Sequence, residues 1–195
     1  MKNVYLVFCA TIILIGLRMG MVHNGEVVLS NLKMFTYQSN LAMVVGFFAL
    51  ITVKGPLRQY ILVAVVLATT VTGLVYNFVL VPFAGAPRFY SDFVNFSTHV
   101  LVTIFPLVFY FLFEEKGKLK CRHIFAGMVF PMVYWVVFVT IGERIDFFPY
   151  FFMNPHYVGW GMTFVWFGAL LAPFAVLGFL LLWYDGRRLV SANRT

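Results

Sequence analysis

An all-α integral membrane fold of six transmembrane helices follows from three features of the 195-residue sequence. It is 62% hydrophobic, only 11% charged, and its charges punctuate long apolar runs. With 24 Phe and a mean hydropathy of +0.91, it carries more apolar surface than a soluble domain of this length can hide. Lipid is therefore the expected solvent.

A hydrocarbon core about 30 Å thick takes about 20 helical residues to cross. Six segments reach that length, at about 3–22, 35–53, 58–81, 93–113, 124–142 and 158–184, and they make residues 1–195 a single transmembrane domain. The first follows Lys2 and resembles a secretory leader. No small-x-small cleavage site follows it, however, and Arg18 interrupts its end, so it is expected to remain as a helix. His23-Asn24-Gly25 separates it from the second, and Lys54-Gly55-Pro56 ends the second. The stretch from Pro82 to Pro87 leaves room only for a tight hairpin between the third and fourth. Charges from Glu114 to Lys118 divide the fourth from the fifth, and Asn154-Pro155 precedes the sixth.

Alternation sorts the basic residues. Lys2, Lys54, Arg58, Lys116, Lys118, Lys120, Arg122, Arg187, Arg188 and Arg194 fall on one side, and Lys33, Arg88 and Arg144 on the other. This bias predicts that both termini are cytoplasmic. The net charge of +7 thus serves topology, and the dispersed cations form no nucleic-acid face. Cys9, in an apolar run, and Cys121, in a basic loop, are not expected to pair or to bind metal. No internal repeat, soluble domain or low-complexity segment stands out.

Polar groups inside a bilayer are costly unless paired or wet. Most of those within the spans fall in the half opposite the termini: Arg18 at the end of the first, Thr36 and Asn40 at the start of the second, Asn77 late in the third, His99 early in the fourth, and His156 and Trp160 at the entry to the sixth. One cavity opening toward the non-cytoplasmic side would explain the asymmetry. Thr36 and Asn40 share a helical face, as do Asn95, His99, Thr103 and Pro106, and Thr70, Gly73 and Asn77 form a third stripe. Each has a plainer reading. A threonine can bond its own backbone, Asn40 and Asn77 can join helices, Arg18 can snorkel, and His156 can be a loop residue. Tyr150, Tyr157 and Trp183 read as the interfacial aromatic belt. His99, set before a long apolar run, needs a partner.

Three functional readings fit these residues. A hydroxyl with an imidazole to take its proton makes a nucleophile, which Thr36 and His99 supply if the second and fourth spans touch; Arg18, Asn40 or Asn77 would then stabilise the oxyanion. No Gly-x-Ser-x-Gly elbow is present. A metal-dependent hydrolase would draw on His23, His99 and His156 with Glu143 or Asp146, although no metal-ligand spacing supports it and no cofactor is expected. A transporter or lipid receptor would use the cavity without chemistry, although transporters usually show repeats or broken helices near the midplane.

The run Lys33-Met34-Phe35-Thr36-Tyr37-Gln38-Ser39-Asn40-Leu41, the segment His99 to Pro106, and Pro149-Tyr150-Phe151-Phe152-Met153-Asn154-Pro155 resemble, in order, the androgen-induced gene family of six-span membrane proteins and its bacterial relatives. Animal members of that family are threonine hydrolases that cleave fatty acid esters of hydroxy fatty acids. The resemblance implies that Thr36 matches the family's nucleophile and His99 its base. It also implies membrane lipids as partners and a fatty-acyl ester as substrate. Gln38-Ser39-Asn40 is closer to the bacterial branch, which implies a bacterial cytoplasmic membrane and carries the residues over better than the substrate.

Overall fold

The computed structural model describes residues 1–23, 25–88 and 91–192. Asn24, in the first expected break, and Arg194, among the expected cytoplasmic cations, lie outside the described residues, as do the side chains of His23 and Arg188. The chain is an all-α, multi-pass integral membrane protein. Its six long apolar helices are α1 (Lys2–Met21), α2 (Phe35–Thr52), α3 (Pro56–Ala84), α4 (Phe93–Phe113), α5 (Cys121–Ile145) and α6 (Trp160–Ala192). A two-stranded hairpin, β1 (Val22–His23) and β2 (Glu26–Val27), joins α1 to α2.

α3 is the axis of the bundle. Of its most apolar stretch 67% is buried, against 17% for α6, which lies at the rim. Proline at its first turn follows Gly55, whose positive φ of 71° suits the tight entry. The sequence places a break at Pro82, but the helix continues to Ala84 and stops at Gly85 in the left-handed region. A π-helical turn over Tyr76–Leu80 accounts for the difference, because it widens the hydrogen-bonding register just before the proline and accommodates the missing N–H.

A second π-helical turn, Ser97–Leu101, interrupts α4 at His99. Two glycines let neighbouring helices close on it. A Cβ at Gly16 of α1 would overlap the Ser97 side chain, and one at Gly73 of α3 would lie against the His99 carbonyl and the Thr103 hydroxyl. That hydroxyl donates to the Thr69 carbonyl at 2.9 Å, joining α4 to α3. Replacing Gly73 with valine is therefore expected to destabilise the bundle by about 1–3 kcal/mol through overpacking. Thermal unfolding in detergent would measure it, and an unchanged midpoint would show that the two helices do not meet there.

The start of α1 and the part of α6 around Asp185 lie at one end of the bundle. Lys2 pairs with Glu114 at 2.7 Å at the end of α4, and Asp185 in α6 accepts from the Leu119 N–H and the Tyr110 hydroxyl, each at 2.9 Å. At the opposite end, the segment after α5 turns at Asp146 (φ 50°) and folds back beneath α5 and α6. Phe152 and Met153 of that segment are buried against Tyr134 and Trp135. This returning segment roofs the site described next.

Candidate active site

A narrow cavity of about 60 Å³ lies between the start of α2, the π turn of α3, the middle of α5 and α6, and the returning segment. Its wall is almost wholly apolar, with Phe35, Trp135, Phe152, Phe167 and Phe174 among the lining side chains. The polar exceptions are hydroxyls, from Thr36, Thr72, Tyr76, Tyr134 and Tyr150.

Thr36 stands in the first turn of α2, where backbone N–H groups have no carbonyl one turn back. Met34, the residue before the helix, provides no side-chain cap. Tyr150 comes to this helix start from the returning segment: its phenol oxygen faces the Thr36 hydroxyl and the backbone amides of Thr36 and Phe35. Burial pushes the Tyr150 phenol up, while those donors act in the opposite direction. Beside it, the Tyr134 hydroxyl donates to the Lys33 carbonyl at 2.8 Å.

His99 is buried, and its tautomer follows from its partners. Nδ1 lies 3.1 Å from the Asn95 carbonyl, which can only accept, so Nδ1 carries the proton. Thr98 donates its own hydroxyl to the Val94 carbonyl at 2.7 Å and therefore also receives from Nδ1, at 3.1 Å. Nε2 of the neutral ring is left with its lone pair and has no hydrogen-bond partner among the described residues. The Tyr76 ring stacks on the imidazole with centroids 3.4 Å apart. The Tyr76 hydroxyl donates to the Pro87 carbonyl (2.5 Å) or to Asn95 Oδ1 (2.8 Å).

Asn95 itself is held by Asp92, which caps the start of α4. The carboxylate accepts from the Asn95 backbone N–H at 2.8 Å and from its amide at 2.7 Å. These hydrogen bonds, the backbone one foremost, hold the Asp92 carboxyl below its ordinary range.

The second and fourth spans do touch, through Asn40. Its amide donates to the Thr36 carbonyl at 2.7 Å and to the Thr98 carbonyl at 3.0 Å, tying the turn that bears Thr36 to the residue before His99. Both amide hydrogens are thereby committed, and Oδ1 remains buried without a partner among the described residues. No direct hydrogen bond joins Thr36 to His99 in this arrangement. Tyr76, which lines the cavity with Thr36 and stacks on His99, connects the two.

The other residues singled out from the sequence lie elsewhere. Arg18 is exposed, off the buried stripe of α1 that runs through Leu6, Ala10, Ile13 and Leu17. Asn77 is half-buried and returns its amide to the Gly73 carbonyl at 2.8 Å. His156 is exposed and pairs with Glu143 at 3.1 Å, and Trp160 is 51% exposed at the start of α6. None of these four lines the cavity. Tyr150, read from the sequence as part of the interfacial belt, lines it instead. Among the described residues, no group of three His, Cys, Asp or Glu side chains is close enough to hold a metal ion.

No protein-family model, curated protein or solved structure matches this chain.

Proposed function

We propose that this protein is an intramembrane hydrolase of fatty-acyl esters, with Thr36 as nucleophile and His99 as general base. The observation that carries the reading is the position of the Thr36 hydroxyl, in the wall of an apolar cavity and at a helix start whose backbone amides face an oxygen, that of Tyr150, as they would face an anion. The apolar wall matches an acyl chain in chemistry, the cavity of about 60 Å³ would have to widen to take one, and the ester carbonyl would lie where the Tyr150 oxygen now faces those amides. The resemblance of the segments around Thr36, His99 and Tyr150 to a family of membrane threonine hydrolases points the same way.

In the proposed reaction the Thr36 Oγ1 attacks the ester carbonyl and its proton passes to His99 Nε2 through one water molecule. Charge develops on the carbonyl oxygen. The Thr36 and Phe35 N–H groups and the Tyr150 hydroxyl are the donors placed to receive it, in place of Arg18 and Asn77. Asn95 holds Nδ1 and so keeps the free lone pair on Nε2. The alcohol leaves with a proton from the imidazolium, and water then releases the acyl group by the same route. The cytoplasmic position of the termini, which rests on the positive-residue bias, and a bacterial inner membrane as the home, which rests on the resemblance of Gln38-Ser39-Asn40, belong to this reading.

A second reading draws on one observation: with the Tyr76 ring against His99 and no direct Thr36–His99 bond, the cavity also suits a receptor that holds a lipid without cleaving it. A fluorophosphonate probe separates the two. Labelling of the purified protein is expected to disappear in Thr36→Ala and to be indifferent to chelators. Labelling that survives Thr36→Ala would reject the nucleophile, and an unlabelled wild type carrying a co-purified lipid would favour the receptor.

A further inference from the structure

At the end of the bundle that holds Lys2, far from the cavity around Thr36, a wide groove of about 560 Å³ opens between the α2–α3 turn and the loop that leads into α5. Six cations line it, Lys2, Lys54, Arg58, Lys118, Lys120 and Arg122, against two carboxylates, Glu114 and Glu115. Glu114 is already matched internally, by Arg58 and Lys2. Lys118 reaches Glu115 only at 3.7 Å, and no partner among the described residues holds the ammonium groups of Lys54 and Lys120. The groove therefore keeps an excess of positive charge that the fold does not neutralise.

Its back wall holds a second, independent feature. His123, at the first turn of the 25-residue helix α5, is 2% exposed and lines the groove. The Lys120 backbone N–H donates to its Nδ1 at 3.1 Å, so in the neutral ring the proton sits on Nε2. That Nε2 is buried and has no hydrogen-bond partner among the described residues. A buried N–H donor left unpaired is costly and is found where a ligand, ion or water completes it. The start of α5 adds its unpaired backbone amides and the positive end of the helix dipole. Apart from the exposed Glu115 carboxylate, which offsets Lys118, the unsatisfied groups of the groove are thus donors or cations.

We infer that this groove binds the phosphate of an anionic phospholipid from the leaflet at the Lys2 end of the bundle, with Lys54, Lys120 and Arg122 holding the phosphate oxygens and His123 Nε2 donating from behind. Arg58 does not take part directly, because Glu114 and the Leu50 and Val53 carbonyls use its donors. The groove is of a size to take a whole headgroup, and its place at the ends of α2, α3 and α5 sets it at headgroup depth. A free phosphate compound would offer the same chemistry without acyl tails, so the two sources are to be separated by experiment.

The test uses the full-length protein in nanodiscs of phosphatidylcholine alone or with phosphatidylglycerol, followed by native mass spectrometry and thermal unfolding. Phosphatidylglycerol is expected to stay bound and to raise the unfolding midpoint, with retention falling about fivefold for each of Lys120→Gln and Arg122→Gln. His123→Phe is expected to weaken retention and His123→Gln, which restores a donor, to recover it. Arg187→Gln, which removes an exposed cation at the same end but outside the groove, should change nothing. Equal losses for Arg187→Gln and Arg122→Gln would reduce the effect to general surface attraction and overturn the site. An equal midpoint shift from millimolar inorganic phosphate in phosphatidylcholine would overturn the lipid as its occupant.

Discussion

Thr36→Ala is expected to lower ester hydrolysis by about ten-thousandfold or more while leaving the bundle folded, because the hydroxyl contributes the attacking atom and little else. Its packing role is small: the side chain borders the cavity, and the helix hydrogen bonds of α2 run through the backbone. Thr36→Ser keeps an oxygen in place and should retain measurable activity. His99→Gln preserves a donor toward the Asn95 carbonyl but removes the lone pair at Nε2, so a fall of about a hundredfold to ten-thousandfold is expected. Residues that act as one unit are not additive, so the double variant should be no worse than Thr36→Ala alone. Single-turnover hydrolysis of a chromogenic long-chain ester by reconstituted protein would read all four, with unfolding midpoints as the control for folding. Multiplicative losses in the double variant would mean that the two side chains work separately.

The six spans could be read from the sequence because lipid imposes a length and a composition, and the observed helix ends fall within three residues of the expected ones, except that α6 runs on to Ala192, eight residues past the expected 184. Depth along the bilayer was equally legible, and it placed Thr36, Asn40, Asn77 and His99 at the same end. Facing was not. Lipid is as apolar as a protein interior, so a membrane helix carries little contrast between its two sides, and depth alone made Arg18 and Trp160 look like neighbours of the site. The buried positions of α1 recur with helical spacing and leave Arg18 outside their stripe, a pattern visible only once the buried side is known. Tyr150 was missed for a different reason: aromatic residues near span ends usually anchor the interface, and only the fold of residues 146–159 turns this one inward. Tyr76 and His99 gave no local warning of the π turns that carry them. Such turns are set by packing against neighbouring helices more than by their own sequence.

The second large effect lies at the other end of the bundle, where one carboxylate holds three helices together. Glu114 is 6% exposed and meets Arg58 through two hydrogen bonds, of 3.0 and 2.5 Å, and Lys2 at 2.7 Å. Arg58 also donates to the Leu50 and Val53 carbonyls at the end of α2, so the cluster links the start of α1, the turn from α2 to α3 and the end of α4. Removing the anion leaves two cations facing each other with no counter-charge. Breaking a buried pair in this way typically costs about 3–5 kcal/mol, so Glu114→Ala should lower the unfolding midpoint by about 10 °C. Lys2→Ala should cost far less, about 1 kcal/mol or below, because that side chain is 38% exposed and Arg58 remains. The pH dependence follows from the same geometry. Burial alone would raise the Glu114 carboxyl, but the hydrogen bonds and charges of Arg58 and Lys2 outweigh it and hold the group below its usual value. A depressed folded-state value means that the stabilisation is fully present above about pH 4.5, the ordinary glutamate value, and is lost as pH falls through the lower value in the fold. Glu114→Gln should therefore be less stable than wild type at neutral pH and flatter on the acid side. Midpoints in detergent from neutral pH down to about pH 3 would show it. Parallel curves for the two proteins would mean that another acid sets the acid limb and that the cluster is weaker than its distances imply.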